Sequence, residues 1–299
     1  MSMEARKLTI AVLTLLLLCT AKVQAAVLFI IPEYSPSHIE LINKTNRYLG
    51  EDIDIETIGD IEDKLIEQYS AIVLVGPKVL QQWQGSTKPT VSVLTSSQLA
   101  QQHQNLLTTS IYLDPPLKRQ LLLANEIVGQ GRPVGVLFNN QQQLSEFQVD
   151  STELKAWQEN NITPYFSDQY NSTIHALSAL LRDNRTLVGI YDHQLYSPDN
   201  IKTILISAYR QSRPLIGPSA AYLRAGALAS TYSSIDDTAL RLSEVLQQGL
   251  TTNLWSKPNF NPYFHVGFNE QVGRSLNLRL PNPDQLAEKI KSIEAADNK

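Results

Sequence analysis

The sequence predicts an α/β protein built as two doubly wound parallel-sheet lobes joined by crossing strands. Three observations carry this. Short apolar runs such as AVLFIIP and AIVLVG recur along the chain, as strands buried on both faces require. Helical segments separate these runs, so strands and helices alternate as in a parallel sheet covered on both sides. The pattern completes one cycle by Leu113, begins again, and is followed by an extra strand and a fresh helix between Ala227 and Leu250.

The N-terminus stands apart from that pattern. Arg6 and Lys7 precede the apolar run Leu8 to Thr20, and small residues at Val23 and Ala25 follow, which is the layout of a secretory signal. The run is short for a membrane span, which needs about 20 residues. Cleavage is expected after Ala25. Lipidation at Cys19 is not expected, because Leu18 stands where a small residue belongs. Losing residues 1–25 removes the single cysteine, and with it any disulfide or thiolate chemistry. The segment carries Arg6, Lys7 and Lys22 against Glu4, so its loss takes the formal charge from −4 to −6. No basic run survives, and nucleic acid or an anionic membrane is therefore not expected as the main partner. A periplasmic, monomeric protein with no membrane insertion after cleavage is the expectation.

In the first cycle, Ala26 to Pro32 reads as a buried strand. The helix SPSHIELINKTNRYLG follows, with Ser35 or Ser37 as cap and Gly50 as stop. DIDIETIG is a strand, IEDKLIEQ one or two helical turns and AIVLVG a buried strand. PKVLQQWQ is a helix and PTVSVLTS a strand. In the second cycle SIYL leads into DPPLKRQLLLANEIVGQG, a helix with an acidic cap and prolines in its first turn. Then come the strand PVGVLFN, one long helix to about Asn160, and the strand ITPYFS. The helix STIHALSALLRD, the strand TLVGIYD, the helix DNIKTILISAYRQS and the strand PLIGPS complete the sheet.

The strand ALASTYS then leaves the second sheet. SSIDDTALRLSEVLQQGL is a helix with Ile235, Ala239, Leu242 and Leu246 on one face. Asp236 and Asp237 favour its N-terminal dipole, and Gly249 is expected to end it. A fresh helix after a finished sheet implies a return to the first lobe. FHVGFN and NEQVGRSLN form a last strand–helix pair, and LPNPDQLAEKIKSIEAA a solvent-facing helix. The expected division is 26–113 with 233–257 as lobe 1, and 114–232 with 258–299 as lobe 2.

The pieces PVGVLFNN, VGIYD, RPLIGPS, LRAGALASTYSSIDDTALRLSEVLQQG and HVGFNEQVGRSLNLRLP, in that order, resemble a known family. It is the ABC-transporter periplasmic substrate-binding proteins of the type I periplasmic binding protein fold, and among them the binders of aromatic amino acids. The likeness spans Pro133 to Pro281, roughly half the chain. Lobe 1 departs from the family's pattern. EYSPSH stands where a His–Pro pair is usual, and TSSQ where Thr–Asp–Pro is usual. In lobe 2 Asp192–His193 follows its strand directly, while Asp199–Asn200 comes later. The resemblance implies capture of a small polar, amino-acid-like solute for an ABC permease. The alternative is a sensing protein that reports to a sensor kinase or receptor system.

Ligands of doubly wound sheets bind beyond the carboxyl ends of the strands. The candidate ligand-binding residues are therefore Glu33, Tyr34, Thr95 and Ser96 in lobe 1, with Gly76 read as a tight turn. In lobe 2 they are Asn139, Asn140, Tyr191, Asp192, His193 and Ser219. Glu33 and Asp192 suit an ammonium group, the amides and hydroxyls suit carboxylate or hydroxyl, and the tyrosines offer flat faces. Ser96 and Asp192 also have the look of helix caps.

No enzyme is expected, and no cofactor or metal. IGPSAA places Ala221 where a nucleophile elbow needs glycine, and GQGRPVG precedes a strand instead of following one. The five histidines lie dispersed, without metal-ligand spacing.

Overall fold

The computed structural model describes residues 27–61, 66–129 and 131–297. The segment 1–25 expected to direct export, with Cys19, and half of the helical turn expected at 61–68, lie outside them. The chain opens with β1 (Val27–Ile31), α1 (Pro36–Leu49), β2 (Ile53–Thr57) and β3 (Ala71–Val75). α2 (Pro77–Gln82), β4 (Thr90–Thr95), α3 (Ser97–Gln102) and β5 (Thr109–Tyr112) follow. Every residue of β1 and of β3 is buried, as their unbroken apolar sequences require. Ser35 caps α1 by accepting from the His38 N–H, and Gly50 ends it in the left-handed conformation at φ 69°.

The second cycle runs α4 (Leu117–Val128), β6 (Val134–Phe138), α5 (Gln143–Glu146), α6 (Ser151–Glu159) and β7 (Ile162–Phe166). It continues with α7 (Thr173–Asp183), β8 (Thr186–Val188), α8 (Pro198–Arg210), β9 (Leu215–Ile216), α9 (Ala220–Ala225) and β10 (Ala229–Tyr232). Next come α10 (Ile235–Thr252), β11 (Asn259–Phe260), β12 (His265–Phe268), α11 (Glu270–Ser275) and α12 (Pro283–Asp297).

The strands form two six-stranded sheets, β11-β5-β4-β3-β1-β2 and β12-β10-β9-β8-β6-β7. All pairings are parallel except β10 with β12. The chain passes between the sheets three times, from β5 to α4, from β10 to α10, and from β11 to β12. The return implied by the fresh helix is present: Ala239, Leu242, Val245 and Leu246 of α10 share one buried cluster with β1 and β3. Ser234 and Asp237 form a reciprocal capping box at its start.

Five expectations need correction. Gly249 does not end α10, which runs to Thr252 and stops at Asn253 (φ 56°). A Cβ at Gly249 would sit 2.5 Å from the Trp255 ring, so glycine is there to let that indole pack on the helix. The long helix to Asn160 is two helices, because Gln148 turns left-handed at φ 60° and Asp150 caps a new start. Asp114 does not cap α4, whose N-cap is Pro116; the aspartate turns instead to Ser97. The tail helix α12 is not solvent-facing throughout, since Leu286, Ala287 and Ile290 are buried in the second core. Asn259 and Phe260 pair with β5 in the first sheet, although the sequence places 258–299 in lobe 2.

Candidate functional site

A cleft of about 530 Å³ lies between the carboxyl ends of the two sheets. From the first lobe, the ends of β3, β4 and β5 and the helices after them supply Pro77, Gln81, Leu94, Ser96, Gln98 and Leu113. Leu99 and Gln102 of α3 complete that wall. The second lobe supplies Asn139, Asn140, Gln143 and Glu146 from the end of β6 and α5, and Tyr191 to Gln194 from the turn after β8. Gln98 Nε2 donates to Glu146 Oε2 at 2.5 Å, joining the two walls.

Six of the expected residues are brought together here: Ser96, Asn139, Asn140, Tyr191, Asp192 and His193. Ser96 is also the cap of α3, accepting from Leu99 N–H at 3.3 Å. Glu33, Tyr34, Thr95 and Ser219 do not line the cleft. Glu33 and Tyr34 follow β1, which lies beyond β3 on the side of the sheet away from β4 and β5. There Tyr34 is 63% exposed, and the Glu33 carbonyl contacts His38 Nδ1 at 3.0 Å. Ser219 sits at the N-cap of α9 without a side-chain bond. Gly76 is a turn, as read, at φ 88°, and Pro77 rather than Gly76 reaches the cleft.

Thr95 loses its place to its neighbour. A bulge between Val93 and Thr95 leaves Leu94 unpaired with φ 55°, so Leu94 faces the cleft while Thr95 is 1% exposed. A left-handed leucine costs about 1 kcal/mol or more and persists only where the surroundings hold it. With Leu99 and Leu113, it gives the first wall an apolar patch.

Asp192 is buried and its acceptor capacity is used. One oxygen accepts from Gln194 N–H at 2.9 Å and Leu195 N–H at 2.6 Å. The other accepts from Asn139 Nδ2 at 3.1 Å and Gln143 Nε2 at 2.6 Å. Gln143 Oε1 in turn accepts from the Asn139 N–H at 2.7 Å. This network fixes Asn139 with its amide oxygen uncommitted, while Asn140 uses its oxygen on Gln142 and Gln143 N–H groups and keeps its NH₂ free. Asp114, at the first crossing, accepts from both the N–H and the hydroxyl of Ser97 at 2.6 Å. Burial raises its carboxyl above the ordinary carboxylate value, against the pull of the Ser97 donors and of His193. Burial likewise raises Tyr191, which Asp114 reinforces; its ring meets His193 edge-on at 5.1 Å.

The sequence reading missed the glutamines and leucines of the first wall. Leu113 could have been found, since it ends SIYL, and strand ends were the rule applied elsewhere. Among the described residues no group of histidine, cysteine and acidic side chains could hold a metal ion, and no helix is long and apolar enough to cross a membrane.

No protein-family model matches the chain, and no curated protein matches it. Solved structures do. A ligand-free, open substrate-binding protein with adhesive properties from Clostridium difficile aligns over 86% of this chain and 96% of its own, at 14% identity and a TM-score of 0.66. This is a type I periplasmic binding protein fold. A conserved domain protein from Vibrio cholerae (14% identity, 87% and 96% coverage) shares the fold at a TM-score of 0.55. An ABC domain in complex with L-Trp from Streptococcus pneumonia (13%, 87% and 96%) does so at 0.54. In this periplasmic-binding-protein frame, the cleft described above falls between the two sheets beside the first crossing.

Proposed function

We propose that the chain is an exported solute-binding protein. It takes a small polar organic molecule between its lobes and presents the closed form to an ABC importer. The observation that supports this best is the cleft itself. Both walls come from strand carboxyl ends, and both offer side chains without internal partners: Gln81 and Gln102 on one, Gln194 on the other. Three crossings between the sheets give a hinge, and a solute touching both walls shifts an open–closed equilibrium towards closed.

Small-angle scattering tests the reading, after a thermal-shift screen of amino acids, short peptides, sugars and nucleosides. A hit should lower the radius of gyration. If nothing in the screen stabilises the protein, or hits bind without compaction, the hinge-closing role is wrong.

A further inference from the structure

Solute capture, taken as read, leaves open what kind of solute fits, and the charges of the cleft narrow it. Two carboxylates line it, Glu146 and Asp192, and among the described residues no lysine or arginine does. His193 is the one imidazole in that lining. Even as an imidazolium it would set one positive charge against two negative ones. A third carboxyl, Asp114 at the first crossing, lies close enough to act on both Tyr191 and His193. A ligand carboxylate entering here would lose its water and meet like charge.

The donors on these carboxylates are neutral. Asp192 is bonded by amide and backbone N–H groups, Asp114 by Ser97, and Glu146 by Gln98. Such bonds occupy acceptor positions without cancelling a formal charge. Ser97 and His193 do not offset the burial that raises the Asp114 carboxyl, so a cation nearby would be stabilising. The second wall also keeps acceptors that receive nothing, namely Glu146 Oε1 and the amide oxygen of Asn139. Gln98, which holds Glu146 Oε2, adjoins Leu99 in α3. The carboxylate is therefore held beside the apolar patch of Leu94, Leu99 and Leu113 on the facing wall. Leu113 is 38% exposed, and Leu94 is turned out by the left-handed bulge.

We propose that the solute is a cation, an ammonium or guanidinium head on an apolar body. The head meets Glu146 Oε1 and the Asn139 amide oxygen, within the field of Asp192, and the body lies on Leu94, Leu99 and Leu113. This rests on the solute-capture reading and sharpens it. Of the amino-acid-like solutes expected from the sequence, the amine portion suits the cleft, and the carboxylate opposes it.

Three probes that share a hexyl chain test this by calorimetry on the purified protein: hexylammonium, hexan-1-ol and heptanoate. Hexylammonium should bind at least about tenfold more tightly than heptanoate and about threefold more tightly than the alcohol. Added salt should weaken the amine and leave the alcohol unchanged. Glu146→Gln keeps an oxygen for Gln98, and should weaken hexylammonium about fivefold at an unchanged unfolding midpoint and an unchanged affinity for hexanol. If that variant does not fold, Gln194→Lys, at an exposed position of the lining, should weaken the amine and strengthen heptanoate. Heptanoate binding as tightly as hexylammonium, no measurable binding of hexylammonium, or an amine affinity indifferent to both variants overturns the proposal. Its failure is distinct from that of solute capture. A carboxylate solute that compacts the protein in scattering removes the cation preference and leaves capture standing, whereas an amine preference without compaction does the reverse.

Discussion

Two buried aspartates, Asp192 in the cleft and Asp114 on Ser97 at the first crossing, are both occupied with the protein's own donors. Asp192 was expected to meet a ligand, yet its four bonds make it the post that orients Asn139 and Gln143. Asp114 has a measurable consequence. Its folded-state value is raised above 3.8 by burial, so between 3.8 and the raised value the native state binds more proton than the unfolded chain. Stability from this group is therefore full below 3.8 and is lost as pH rises through the folded value. Asp114→Asn keeps an oxygen for the Ser97 N–H and offers its NH₂ to the Ser97 hydroxyl. Denaturant midpoints across the acid range should show the variant gaining on the parent as pH rises from about 4 to 7. A constant difference between the two at every pH would show that Asp114 is not titrating abnormally. At this scale six of the sixteen residues lining the candidate site were legible. Reasoning from where apolar runs stop located Asn139 to Asn140 at the end of β6, and Tyr191 to His193 three residues past the end of β8 at Val188. It could not find Leu94, since a bulge depends on how Val93 and Thr95 pair with β5, which lies more than a dozen residues on.

Among the elements, α4 does more than cover a sheet. Arg119, one turn in, is buried and forks onto Glu294 of α12 at 2.8 and 2.9 Å. It also donates to the Asn261 carbonyl at 3.2 Å, in the third crossing, and lies 3.9 Å from the centre of the Phe264 ring. Gln120, beside it, donates to the Gly217 carbonyl at 2.9 Å and accepts from the Thr231 N–H at 3.2 Å, next to the second crossing. Two adjacent side chains thus tie the first crossing to the other two on the second-lobe side. In the proposed hinge, bending falls to the residues on the first-lobe side of these ties. Removing one partner of so buried a pair strands the other, so Arg119→Met should cost about 3 kcal/mol in denaturant unfolding. Arg119→Met with Glu294→Met should recover a good part of it. A double variant as unstable as the single one would mean that the loss comes from packing on Phe264 and the ion pair contributes little. Strands and helices themselves were largely readable, because runs such as VLFII and AIVLV permit little else. Boundaries failed where one tertiary contact decides them. The indole of Trp255 on Gly249 and the turn at Gln148 are not written in local periodicity.

For the whole molecule, chain order and spatial order diverge at α10. This helix is made after both sheets' inner strands, yet it packs against α1 and closes the core of the first sheet, where Leu242 is fully buried. The sequence showed the return as a helix without a sheet left to cover, although the exact point of re-entry, beyond Phe260, depended on a two-residue pairing with β5. The first lobe's stability therefore depends on a segment separated from it by five of the second sheet's six strands, a loop closure that costs entropy but grows only slowly with length. Leu242→Ala should cost about 2–5 kcal/mol, the range for emptying a buried leucine site. Hydrogen exchange can locate the loss. Protection should fall in β1, β3 and α1, while β6 and β8, whose core is built from Leu177, Leu180 and their neighbours, keep theirs. Loss of protection spread evenly over both sheets would mean that the lobes unfold as one unit, and the three crossings would then be a rigid joint instead of a hinge.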